Sequence, residues 1–214
     1  VGTGSSLMEE FEDLIHKGKN SFVKRLSNAG FTIEQIGEYL YAKHSIERNE
    51  EIKRRTGKEN GSGMSNEEAE KIINNYKGSG IHKFALEFYR TVTKPALKMR
   101  LDKGIITKEQ YDTLTKTYKF YVPLKGLLDS EDGYSYTVGK GFSVTTTGIF
   151  GARGRESMAG NPFIQAIIDY QSAIMLTEKN KAMVEVYNFL KENEGKGWKI
   201  SGRKHRAGVD ENGD

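Results

Sequence analysis

The chain has 214 residues, 33 Lys and Arg against 29 Asp and Glu, a formal net charge of +4, and no Cys. That length suits one large domain or two small ones with a buried core. The absence of Cys excludes disulfides, thiolate metal sites and cysteine nucleophiles. No apolar run approaches the ~20 residues of a membrane-spanning helix. Hydrophobic residues make up 36% of the chain, a lean share that points to an elongated fold or one completed by a partner. The mild positive charge permits nucleic-acid contact without requiring it. Val1-Gly2-Thr3-Gly4-Ser5-Ser6 at one end and Gly208 to Asp214 at the other are small and polar like linkers, and the expectation is a piece of a longer polypeptide.

The first helix is expected over 7–29, with Phe11, Leu14, Ile15, Phe22, Val23 and Leu26 at helical spacing. Gly18 weakens or bends it, and Gly30 offers a left-handed cap at its end. Thr32-Ile33-Glu34-Gln35 is a capping box: the Thr hydroxyl accepts from the Gln backbone N–H, and the Gln side chain reaches back. The helix it opens turns Ile33, Ile36, Tyr39, Leu40 and Ile46 inward and runs to about Arg55. After a Gly-rich break, Ser65-Asn66-Glu67-Glu68 opens a second helix through Ala69, Ile72, Ile73 and Tyr76. Ile81 to Lys103 carries Phe84, Phe88, Val92 and Leu97, and Pro95 predicts a kink or two abutting helices there. Gly104 stops that stretch, and Thr107-Lys108-Glu109-Gln110 opens a further helix with Tyr111, Leu114 and Tyr118.

The texture then changes. Val122 before Pro123 favours an extended path. Tyr134, Tyr136, Val138, Phe142 and Val144, around Gly139-Lys140-Gly141, read as a β-hairpin. Asn161-Pro162 is an N-cap followed by proline at the first helical position. The helix it opens can run from Pro162 to about Glu192, a length of about 46 Å. Its apolar residues Phe163, Ile167, Tyr170, Ile174, Met175, Met183, Val186 and Leu190 need covering by other helices or a partner. The expected fold is mainly α: an elongated helical module with a long C-terminal helix and one small β-hairpin. It divides into an N-terminal helix over 1–30, capping-box helices over 31–130, hairpin and Arg/Gly loop over 131–160, the long helix over 161–194, and a basic then acidic tail over 195–214.

Three constellations bear on chemistry. His44, Glu47 and Arg48 stand at i, i+3 and i+4 and share one helix face. They read as a general base held by Glu47, as half of a metal site, or as a polar helix–helix contact bonded to backbone or a facing carboxylate. The third reading is preferred, because His16, His82 and His205 lack metal-motif spacing. Arg153 and Arg155 lie in a Gly-rich frame after Thr145-Thr146-Thr147, where Arg forks suit phosphate or a partner, but the Gly-Lys-Ser/Thr ending of a P-loop is missing. Arg203, Lys204 and Arg206 form a short basic run without interleaved aromatics. No Ser/His/Asp order, His-Glu-x-x-His or Asp-rich Ca loop occurs. Glu109, Asp169 and Glu178 stand alone on helices, so no catalytic, cofactor or metal residue is assigned.

Several segments taken in order resemble the very large polyvalent proteins of bacteriophages and mobile elements. They are Tyr41 to Asn49, Gly61 to Ala69, Leu101 to Ile106, Tyr121-Val122-Pro123-Leu124, Gly151 to Ser157, Asn161-Pro162-Phe163 and Glu178-Lys179-Asn180-Lys181. The stretch resembles a PLxRFG-type region, although Lys125-Gly126-Leu127 follows Pro123-Leu124 in place of an Arg-Phe-Gly ending. The resemblance implies a non-catalytic structural or interaction module, carried in the virion and ejected with DNA into the bacterial host cytoplasm. Its implied partners are other segments of the same polypeptide or other virion proteins. The alternative is a nucleic-acid-binding module working through the Arg and Lys loops.

Overall fold

The computed structural model describes residues 3–124 and 160–192, and within them the helix expected over 7–29 is two. α1 (Thr3–Glu12) widens into a π-helical turn over Asp13–Lys17, and Gly18 leaves the helical region with ψ 151°. Its amide still reaches the Asp13 carbonyl at 3.1 Å. A Cβ at residue 18 would stand 2.5 Å from that oxygen, so only glycine closes the turn this way. The Lys24 ammonium donates to the Lys17 and Gly18 carbonyls, 3.1 Å each, pinning the break. α2 (Phe22–Asn28) follows and ends as expected at Gly30, whose φ of 84° lets Phe31 N–H bond the Leu26 carbonyl at 3.1 Å.

The three capping boxes form at the expected places. α3 (Ile33–Thr56) starts with Gln35 N–H donating to Thr32 Oγ1 (3.2 Å) and Thr32 N–H to Gln35 Oε1 (2.9 Å). α4 (Asn66–Asn75) starts with the same reciprocal pair between Ser65 and Glu68. At Pro95 the expected junction is a second π turn, Tyr89–Thr93, between α5 (Ile81–Phe88) and α6 (Lys94–Asp102). The Lys94 amide reaches back five residues to the Tyr89 carbonyl, and proline falls in the first turn of α6, where its missing donor is tolerated. α7 (Lys108–Thr117) starts at the third box, Thr107 with Gln110. α8 (Pro162–Glu192) has the expected length, and Asn161 Oδ1 accepts from Phe163 N–H at 2.9 Å as its cap.

Every regular element among the described residues is helical. The β-hairpin over 134–147 and the basic tail fall outside the described residues.

The chain divides into two units, Val1–Thr177 and Glu178–Asp214. In the first, Phe22, Phe88 and Phe163 meet with ring centroids 4.6–5.7 Å apart, joining α2, α5 and the start of α8. Such pairs add to the burial of large apolar surface. α3 is buried on nearly all sides: Ile36, Tyr39, Leu40, Tyr41, Ala42, His44, Ser45, Arg48, Asn49 and Ile52 are all covered. A helix covered all round needs no single apolar stripe. Gly37 of α3 lies against Asn161, and a Cβ there would overlap the Asn161 side-chain amide. Asn161 Nδ2 also donates to the Ile33 carbonyl at 3.2 Å, so the cap of α8 is seated on the first turn of α3. The buried Arg100 of α6 meets Asp169 of α8, at 3.5 Å to Oδ2 and 3.4 Å to the carbonyl. In the second unit, α8 residues Met183, Val184, Val186 and Tyr187 are each about half exposed.

Candidate functional site

The polar residues of α3 fall into two groups, one facing the loop before α4 and one facing the segment after α7. On the first side Asn49 organises the loop. Its Oδ1 accepts from Ser62 N–H (2.8 Å), and its Nδ2 donates to the Met64 carbonyl (2.8 Å) and to Asn66 Oδ1 (2.9 Å). Ser62 Oγ donates to the Met64 carbonyl at 3.0 Å, and Tyr41 OH to the Ser62 carbonyl at 2.9 Å. A loop carrying Gly61, Ser62, Gly63 and Met64 has few side chains with which to bury itself. The α3 amide supplies the hydrogen bonds that its backbone needs once covered.

On the second side lies a strap, residues 118–124, in which Tyr118, Phe120, Val122, Pro123 and Leu124 are buried and only Lys119 is fully exposed. Two features of α3 hold it. The Glu47 carboxylate accepts from the backbone N–H groups of Lys119 (3.1 Å) and Phe120 (3.2 Å). The His44 ring meets Tyr118 edge-on at 4.9 Å and Tyr121 at 5.4 Å. His44 has no exposed surface, and neither ring nitrogen has a hydrogen-bond partner. Arg48, one turn on, is 9% exposed, and its Nε also lacks a partner. Burial, reinforced by the Arg48 charge, holds the His44 pKa well below its ordinary value, so the ring is neutral. Burial pushes the Glu47 carboxyl up, against the two strap amides and the nearby Lys43 and Lys119 that pull it down.

The structure thus brings His44 and Arg48 together in the interior while Glu47 turns to the strap. A base oriented by Glu47 requires a bond to His44 that is not made. The preferred contact differs too: Glu47, not His44, bonds the backbone, and the neighbours of the imidazole are rings. No group of three or more His, Asp or Glu among the described residues is arranged to hold a metal ion. Arg153, Arg155, Arg203, Lys204 and Arg206 lie outside the described residues.

Three relationships escaped the sequence. Asp169, read as isolated, meets Arg100 from 69 positions away, and nothing local announces such a pair. The strap's seat on α3 has no local signal either, although Val122 before Pro123 announces its extended path. A third cluster joins α3, α4 and α5: Tyr39 OH and His82 Nδ1 are 3.0 Å apart, and Tyr76 OH donates to Glu38 at 2.9 Å. Burial and the Glu38 carboxylate push the Tyr76 hydroxyl up to about 12, so it stays protonated and serves as a tether between helices.

Sequence segments 41–49, 61–69, 121–124 and 161–163 all meet on α3. Their polar residues seat loops, straps and a helix cap; they do not converge on one open site. Compared with protein-family models, with curated proteins and with solved structures, the chain matches none.

Proposed function

We propose that this chain is an interaction module of a very large phage-encoded polypeptide, carried in the virion and ejected with DNA into the host cell. It associates there with other segments of the same polypeptide. The resemblance of its ordered segments supports the phage context. One structural observation supports the interaction role: the exposed apolar side chains of α8 in the second unit.

Met183, Val186, Tyr187 and Leu190 stand at i, i+3, i+4 and i+7, one face of a helix. Residues 181–189 are all exposed. A helical stretch of this length is marginal in water unless its apolar face is covered, and apolar surface left open in this way marks a place of association. No helix of the described residues is long and apolar enough to cross a membrane, and the cover this reading assigns is protein.

Hydrogen exchange tests it. In a longer polypeptide that includes the flanking sequence, amides of 181–190 should exchange at least about tenfold more slowly than in this chain alone. Val186→Glu should abolish that protection. Equal exchange in both contexts would overturn the interaction role.

A further inference from the structure

We infer that His44 and the 118–124 strap form an acid-sensitive clasp: the strap is closed over a neutral imidazole and opens when His44 takes up a proton. The inference stands on the geometry of α3 and the strap and is independent of the function proposed above.

A neutral imidazole has one N–H donor and one acceptor nitrogen, and an imidazolium has two donors. In the closed clasp neither nitrogen has a partner, and the ring packs edge-to-face with Tyr118 and Tyr121. A proton added there would find no acceptor and would lie beside the Arg48 guanidinium, whose Nε is itself without one. Burying a charge in such a place is prohibitive. The protonated ring must therefore reach water. The strap offers the shortest route, because its two rings are the cover and it has no helical ladder of its own to break.

The surrounding charges decide the sign. Arg48 and the Tyr118 and Tyr121 rings lie against His44 itself; around Glu47 and Tyr118 stand Lys43, Glu51 and Arg55 of α3, Lys119 of the strap, Tyr89 of the π turn before α6 and, beside Tyr89, Tyr111 of α7. Of these charges Arg48 is the one that bears on His44, and like burial it opposes protonation. A histidine whose pKa is depressed when closed favours the closed form above its ordinary value of 6.5 and loses that preference as pH falls below it. The preference falls tenfold per pH unit until the closed-form pKa is reached. Glu47 works the other way. Its raised pKa means that the closed form holds its proton more tightly, so its titration cannot drive opening in acid.

The amides of Lys119 and Phe120 report the clasp directly, because both are bonded to Glu47. Their hydrogen exchange would be measured from pH 7.5 to 5 and divided by the intrinsic rate at each pH. The opening constant should rise over that range, by at most about 30-fold, and stay above that of the Leu40 amide in α3. His44→Gln and His44→Phe should each flatten the rise; Glu47→Gln should keep it. Three results would each overturn the clasp: a flat profile in the unmodified chain, an undiminished rise in a folded His44 variant, or strap amides that open only together with Leu40. A rise that disappears in Glu47→Gln would also overturn it, since the carboxylate and not the imidazole would then be the sensor.

Discussion

α3 and the α8 residues after Thr177 reverse each other's chemistry. In α3 the polar side chains His44, Ser45, Arg48 and Asn49 are inside, while in the second unit the apolar side chains Met183, Val184, Val186 and Tyr187 are outside. Each departs from the usual partition of residues, and the two departures have different causes. Buried polar groups persist where they hold something with little surface of its own. Asn49 does this for the glycine-rich loop, and the half-buried Glu47 beside them does it for the strap. Exposed apolar groups gain nothing from water, so the chain alone derives no stability from them. The α3 set should therefore be expensive to change in this chain, and the α8 set nearly free.

The largest effect is expected at Asn49. Asn49→Leu keeps the volume roughly constant but strands the buried Ser62 amide, leaves the Met64 carbonyl only the Ser62 hydroxyl, and removes the bond to Asn66. A buried group left without a partner costs about 1–3 kcal/mol and each further hydrogen bond lost about 1 kcal/mol, so denaturant unfolding should register a loss of about 3 kcal/mol. A loss under about 1 kcal/mol would mean that the loop finds water or other partners, and that α3 is less essential to it than the hydrogen bonds indicate. Gly37→Ala comes next. Its methyl would displace the Asn161 amide, which caps α8 and bonds the Ile33 carbonyl. Overpacking and loss of a cap together predict a loss of about 2 kcal/mol. Asn161→Gly in the same background should recover part of it, since the two residues then no longer compete for one space.

These costly positions were the least legible in the sequence, for a physical reason. The capping boxes at Thr32, Ser65 and Thr107 were readable because a cap is a bond between residues three apart, complete within its own segment. The glycine cap at Gly30 and the junction at Pro95 were readable for the same reason. Gly18 was foreseen as a bend and is a full stop, since the Lys24 ammonium, six residues on, helps to fix the break. The Asn49 bonds span 13 to 17 positions, and Arg100 and Asp169 are 69 apart. Neither distance leaves a periodic trace. His44, Glu47 and Arg48 were found by their shared face, but a face does not say what lies against it. The strap opposite turns Glu47 away from the imidazole and gives each a separate task.

A smaller effect separates two helices that start alike. Thr32→Ala and Thr107→Ala each remove a hydroxyl that accepts a backbone N–H, worth about 1 kcal/mol. α3 is the covered helix, so Thr32→Ala should lower the stability of the whole first unit by that amount. No residue of α7 is fully buried, and Thr107→Ala should instead speed hydrogen exchange of the α7 amides about fivefold while the unfolding midpoint barely moves. Equal shifts of the midpoint would show that α7 is as firmly joined to the core as α3.

The smallest effect is expected in the second unit. Val186→Gln removes a half-exposed branched side chain and substitutes a better helix former. With little burial to lose, the unfolding free energy should change by less than about 0.5 kcal/mol, in either direction. Tyr187→Gln should behave the same way. A loss above about 1.5 kcal/mol in the isolated chain would mean that these side chains are covered in solution, by a second copy or by another part of the chain. Repeating the measurement at tenfold lower protein concentration decides between those two, because only cover by a second copy weakens on dilution.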